Sequence, residues 1–267
     1  MMKISFIGGG TMGEAMIKSL LAKAVIKSGD IVVSDVSQAR RDVLKKKYGV
    51  KAVSDNKVAA KGAEVVVLAV KPQELGKVLG GLKGLAPQQL VLSIVAGTTL
   101  ESLHQGLAHS RLVRAMPNMA AQIGESMTVW TATAEVNQKQ KDTAQSMLAA
   151  MGKEIYVSNE KYIDMATALS GSGPAYVFLV IEALVDAGVH IGLPRDIAEK
   201  LVVQTVLGSA RAVEVMGKHP AELKNMVTSP GGTTTEGLLQ LETGRLRSLL
   251  LQAVIAAYNK AKALGAK

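Results

Sequence analysis

The chain has 267 residues, enough for two medium domains, with 48% hydrophobic and 20% charged residues, the balance of a globular protein. It has no cysteine, which excludes disulfides, thiolate nucleophiles and thiolate metal sites, and its four histidines (His104, His109, His190, His219) are too scattered to suggest a metal centre. The formal charge of +9 falls almost wholly on residues 1–161, which hold 21 of the 31 basic and 13 of the 22 acidic residues, but 3% aromatic content argues against stacked single-stranded nucleic acid.

In chain order, Ile4–Ile7 is a short apolar strand running into Gly8-Gly9-Gly10-Thr11-Met12-Gly13 and a helix to about Ala24. This is G-x-G-x-x-G in its required setting: the first glycine allows a tight turn, the second admits a pyrophosphate, and the third lets helix and strand pack closely. A second strand, residues 31–33, ends at Ser34-Asp35, where an acidic residue meets the adenosine ribose hydroxyls. Asp35 would repel a 2′-phosphate, whereas Ser34, Ser37, Arg40 and Arg41 lie close enough in sequence to hold one. The choice between NADH and NADPH stays open. Ser37 also reads as the N-cap of a helix ending near Lys47.

Residues 64–70 form a near-continuous apolar strand ending in Ala69-Val70-Lys71-Pro72, with Pro72 placed to start a helix. Strand ends line the cofactor crevice of such sheets, so Lys71 is a candidate contact to the nicotinamide half. Residues 90–96 are a further buried strand, and Thr98 with Glu101 reads as a capping box for the next helix. Residues 112–116 lead into Pro117-Asn118, and strands at 127–130 and 154–157 flank a helix over 137–151. The alternation predicts a doubly wound parallel α/β sheet of the Rossmann type over residues 1–160.

From residue 161 the pattern becomes helical. Residues 175–188 are apolar on nearly every face apart from Glu182 and Asp186, and so must be surrounded, which predicts a homodimer with intertwined helices or a larger assembly built from dimers. No run is both apolar and charge-free enough to span a bilayer, no secretory leader is apparent, and the expected location is the cytoplasm. Helices follow over 194–216, from His219-Pro220, and over 246–264. Between the last two, Ser229-Pro230-Gly231-Gly232-Thr233-Thr234-Thr235 ends a polar connector and opens a helix at Glu236. Glycines bring the backbone close to a ligand there, and free N–H groups with the helix dipole suit a small carboxylate.

Five stretches together resemble pyrroline-5-carboxylate reductases over almost the full length: Gly8 to Gly13, Ala69-Val70-Lys71-Pro72, Arg114-Ala115-Met116-Pro117-Asn118, Ser170-Gly171-Ser172-Gly173-Pro174-Ala175-Tyr176, and Ser229 to Thr234. The first is shared by many dehydrogenases, and the last two are far more specific. The resemblance implies hydride transfer from NADH or NADPH to the C=N bond of 1-pyrroline-5-carboxylate, giving L-proline. It implies that the dinucleotide lies on Ile7, Gly8, Gly10, Thr11, Met12 and Gly13. Ser34, Asp35 and Asn56 would stand at the adenosine end, with Ala69, Val70, Lys71, Pro72, Ala96 and Asn118 at the nicotinamide end. The substrate carboxylate would be held at Ser229, Gly231, Gly232 and Thr233, with Thr234 hydrogen-bonding the ring nitrogen. No metal is implied, and neither a nucleic-acid nor a membrane partner.

Two other readings compete. Hydroxyacid dehydrogenases that pair a similar first domain with a helical one need a lysine six residues after the first glycine of a G-x-G segment, and counting from Gly171 that place holds Val177. A dinucleotide-sensing regulator would keep the cofactor domain and have no use for Gly231 to Thr234.

Overall fold

Residues 2–265 are described by the structure, a computed structural model. The chain alternates β1 (Ile4–Ile7), α1 (Thr11–Ala22), β2 (Ile31–Ser34), α2 (Gln38–Tyr48), β3 (Lys51–Val53), α3 (Asn56–Ala60), β4 (Val65–Leu68), α4 (Leu75–Gly81), β5 (Leu90–Ser93) and α5 (Leu100–Leu107). Next come β6 (Leu112–Met116), β7 (Ser126–Ala132), α6 (Gln138–Ala149) and β8 (Gly152–Tyr156). The remainder is helical: α7 (Lys161–Ala166), α8 (Gly173–His190), α9 (Arg195–Met216), α10 (Pro220–Met226), α11 (Thr233–Thr243) and α12 (Leu246–Gly265).

The strands form one sheet in the order β3-β2-β1-β4-β5-β6-β7-β8. β1, β4 and β5 are buried along their whole length, as a strand covered by helices on both faces must be. Successive side chains point to opposite faces, so Phe6 enters one core with Met16, Leu20 and Leu148, and Ile7 enters the other with Val66, Leu79 and Leu103. The order reverses about β1 and β4, which pair in parallel with Ile7 beside Leu68. That reversal opens a crevice at the carboxyl ends of these strands.

The sheet departs from the expected all-parallel arrangement at one joint. β7 runs antiparallel to β6, with Ala115 opposite Trp130. The connection holds only the short 3-10 turn Met119–Ile123, too little chain to cross back to the start of the strand. β8 then pairs in parallel with β7 through α6. β3 and α3, three and five residues long, carry too little periodicity to be read from sequence. The capping box expected at Thr98 falls one residue later: Thr99 Oγ1 accepts from Ser102 N at 3.1 Å, and Glu101 bonds Gln105 instead.

Residues 173–256 cluster as a second compact unit, while the sheet unit takes in everything up to Ser172 and the chain from Ala257 on. Within the sheet unit the end of α12 closes on Gly97 (φ +71°), where an added Cβ would stand 2.8 Å from Leu264 Cβ. In the helical unit Gly188 of α8 packs on Ala198 of α9. Contrary to the sequence expectation, Lys161–His190 is one helical run of 30 residues that is apolar and long enough, by those criteria alone, to cross a membrane. Within it the π-helical turn Thr167–Gly171 follows α7 directly, and a bend at Ser172 leads into α8.

Candidate active site

The glycine-led turn between β1 and α1 is built as the pattern requires. Gly8 has φ +97°, and a Cβ there would lie 2.7 Å from the carbonyl of Ala69; a Cβ on Gly13 would lie 2.6 Å from the carbonyl of Gly8. Both glycines are therefore structural, and they let α1 pack close to β1 and β4. Gly10 is different: nothing lies within 4 Å of its Cβ position. It is the N-cap of α1, and the N–H groups of Thr11, Met12 and Gly13 have no acceptor among the described residues. Open space over a glycine, with three free donors at the positive end of a twelve-residue helix, fits a dinucleotide pyrophosphate. Ile7 is fully buried beneath this turn and contributes its carbonyl to Ala69 N at 2.9 Å.

At the end of β2, the Asp35 carboxylate accepts from Gly9 N and from Ser37 N, both at 2.9 Å. Ser34 is fully buried and its hydroxyl donates to Asn56 Oδ1 at 2.7 Å, which ties the start of α3 to β2. Behind them lies a charged cluster the sequence did not reveal. Arg40 pairs with Glu14 and donates to the Gly9 carbonyl, and Glu14 also accepts from Lys47 (2.9 Å) and Tyr48 (2.7 Å). Burial alone would raise the Glu14 carboxyl, but the hydrogen bonds from Lys47, Tyr48 and Arg40, with the charge of Arg40, outweigh it and hold the group at about 2.

A cleft brings together Gly10, Thr11 and Met12 with Ala69, Val70, Lys71 and Pro72, and with Ala96 and Asn118. Lys71 is exposed and begins the 3-10 turn Pro72–Glu74. Asn118 is more committed: its Oδ1 caps the next turn at Ala120 N, and its Nδ2 donates to the Ser170 carbonyl, both at 3.1 Å. Ser34, Asp35 and Asn56 lie outside this cleft, at the end of β2.

Arg114 lies on β6, the strand that leads into Met116, Pro117 and Asn118 of this cleft, and in the sequence it stands out only as part of a motif. It is 2% exposed on β6, donating to Glu160 Oε1 at 2.7 Å and to Asp164 Oδ1 at 2.5 Å. Glu160 also accepts from Leu100 N. The arginine thus fastens α7, and with it the π turn carrying Ser170, to the sheet. An arginine inside the apolar run Leu112-Val113-Arg114-Ala115-Met116, with carboxylates at 160 and 164, was the available signal.

In the helical unit, the connector before α11 turns at Gly231 (φ +67°), and the helix starts at Thr233 rather than at Glu236. The three threonines therefore occupy its first turn. Gly232 is the N-cap with no side-chain cap, and Thr235 Oγ1 donates to the Ser229 carbonyl at 2.9 Å, stapling the loop. Gly232 N closes a turn on the same carbonyl at 3.1 Å. Its N–H is spent there, while those of Gly231, Thr233 and Thr234 have no acceptor among the described residues.

Residues 160–264 match the family model for pyrroline-5-carboxylate reductase dimerisation, and residues 3–97 match the model for the coenzyme F420-dependent NADP oxidoreductases. A pyrroline-5-carboxylate reductase of Synechocystis is 45% identical over 99% of this chain and 99% of its own length. Among solved structures, the pyrroline-5-carboxylate reductase of Coxiella burnetii has a TM-score of 0.90 at 41% identity, covering 98% of both chains. The Plasmodium falciparum pyrroline carboxylate reductase, solved with NADP bound, has a TM-score of 0.91 at 33% identity, covering 99% of this chain and 98% of its own. With both units matched end to end, this chain belongs to the pyrroline-5-carboxylate reductase family.

Proposed function

We propose that the chain reduces the C=N bond of 1-pyrroline-5-carboxylate to L-proline, the last step of proline biosynthesis, with NADH or NADPH as cofactor and as a homodimer. The observation that carries this reading is the end-to-end similarity to reductases of this name, which spans the dinucleotide turn and the Ser229 to Thr235 loop alike. The residue roles follow the geometry of each unit.

When bound, the dinucleotide supplies the hydride. The free N–H groups at the start of α1 hold its pyrophosphate, over the open space at Gly10. Ser34, Asp35 and Asn56 take the adenosine end, while Ala69 to Pro72, Ala96 and Asn118 wall the nicotinamide end. The substrate is a small anion. Gly231, Thr233 and Thr234 offer it three directed N–H donors at the positive end of α11, and the Thr234 hydroxyl orients the ring nitrogen. A cyclic imine protonated in solution is already an electrophile, so the protein has only to hold it in place, and no general acid is assigned.

We place the functional division at residues 1–160 for the dinucleotide and 161–267 for substrate and dimerisation, supported by the dimerisation model beginning at residue 160. The cytoplasm is the proposed location. Neither nucleic acid nor membrane is proposed as a partner, and the apolar run Lys161–His190 is assigned to the interface between copies; assemblies larger than a dimer would be built from that unit. The test is NADH and NADPH oxidation followed by absorbance with 1-pyrroline-5-carboxylate and with an imine-free control. Turnover that requires the imine is expected; dinucleotide binding without imine-dependent turnover would overturn the assignment.

A further inference from the structure

We infer that this enzyme selects NADH over NADPH, and that two carboxylates make the choice: Asp35 directly, and Glu14 by holding Arg40. The inference rests on the dinucleotide site proposed above and adds its cofactor preference. A 2′-phosphate would be accepted at the end of β2 only if cations there were free to meet it and no fixed negative charge stood in its place. Asp35 breaks the second condition, and of the two nearby arginines Arg40 is neutralised by Glu14 while Arg41 is turned onto uncharged acceptors of the protein itself.

The Asp35 carboxylate is fixed at both oxygens by backbone donors, Oδ2 by Gly9 N and Oδ1 by Ser37 N. It cannot swing away without leaving two N–H groups unpaired, and Gly9 belongs to the very turn that receives the pyrophosphate. A carboxylate held there is an acceptor for ribose hydroxyls and a fixed repulsive charge toward a phosphate.

The nearby arginines are occupied. Arg40 spans the Glu14 carboxylate and the Gly9 carbonyl. Arg41 donates to the carbonyls of Asp35 (2.6 Å) and Val36 (3.0 Å) and to the Gln38 side chain. Glu14, held at about 2, stays ionised throughout the physiological range and keeps Arg40 paired. Replacing Asp35 alone therefore removes the repulsion but leaves Arg40 paired with Glu14, and a full change of preference needs Arg40 released as well.

The experiment is direct binding, by calorimetry, of NADH and NADPH, and of ADP-ribose and its 2′-phosphate, to the wild type, Asp35→Ser, Glu14→Gln and the double variant. No imine is present, so failure of the reductase assignment leaves this result intact, and failure here leaves the reductase assignment intact. The wild type is expected to bind the unphosphorylated ligands about tenfold or more tighter. Asp35→Ser should narrow that ratio by about tenfold, Glu14→Gln by a few-fold, and the double variant should favour the phosphorylated ligands by more than the product of the single effects. Asp35→Asn, which keeps one acceptor oxygen for the turn, repeats the first substitution should the serine variant fold poorly. Equal or tighter binding of NADPH by the wild type overturns the inference, as does a ratio unmoved by either Asp35 substitution. A ratio unmoved by Glu14→Gln, both alone and beside Asp35→Ser, removes Glu14 from it.

Discussion

The sheet unit and the helical unit treat their apolar residues in opposite ways. In the first, Phe6, Leu20 and Val91 are fully inaccessible, and even an arginine is sealed between two carboxylates. In the second, Leu179 and Leu207 are each 60% exposed or more, Val185 and Ala198 are buried, and the ion pair Arg195–Asp186 lies open to water. The first unit buries a core within one chain; the second leaves most of its apolar surface for a second copy to cover. Helices of that apolar character find cover in a second copy, in keeping with the dimerisation family that residues 160–264 match.

The strongest way to break this contrast is to charge the exposed face. Leu179→Glu with Leu207→Glu should abolish the dimer in sedimentation and lower imine-dependent turnover by about a hundredfold or more, while dinucleotide affinity stays within about twofold. A dimer that survives both charges would place the interface elsewhere. A second break acts inside the sheet unit. Arg114→Met leaves Glu160 and Asp164 without their cation and should cost about 3–5 kcal/mol in urea unfolding, since a buried pair that loses one partner leaves uncompensated charge. Arg195→Met, at an exposed pair, should cost less than about 1 kcal/mol and serves as its counterpart in the helical unit.

The smallest effect concerns acid. Glu14 sits lower in the folded protein than its ordinary value of 4.5, so its contribution to stability is complete above that value and is lost as pH falls from about 4.5 to about 2. Because the cluster is partly exposed, the amount is on the order of 1–2 kcal/mol. Glu14→Gln should flatten the acid limb of the stability profile over that window, as followed by urea midpoints; an unchanged limb would mean that Glu14 is no better held in the folded state than in the unfolded one.

Much of the sheet unit was legible because its signals are local. A strand, three glycines and a helix specify the dinucleotide turn wherever they occur in that order, and apolar runs such as Val65–Leu68 announce strands covered on both faces. What escaped was set by tertiary partners. The antiparallel β7 follows from the shortness of its connection to β6, and the Arg40, Lys47 and Tyr48 cluster depends on Glu14 lying 26 to 34 residues away in sequence. The Ser229 to Thr235 stretch was legible as a turn opening a helix, and the helix start was misplaced by three residues. A run of three threonines does not say which one begins the helix, and only the turn on the Ser229 carbonyl shows that Gly232 has spent its N–H.

That detail supplies the most direct measurement. Thr233 is the first residue of α11, where proline is well tolerated, and Gly232 before it is extended (φ −83°, ψ 166°), as a residue preceding proline must be. Thr233→Pro therefore removes one backbone donor while keeping the helix start. KM for 1-pyrroline-5-carboxylate should rise about tenfold or more, the loss of one charge-assisted hydrogen bond, with dinucleotide affinity and unfolding midpoint unchanged. An unchanged KM in a folded, dinucleotide-binding variant would contradict a carboxylate site at the start of α11.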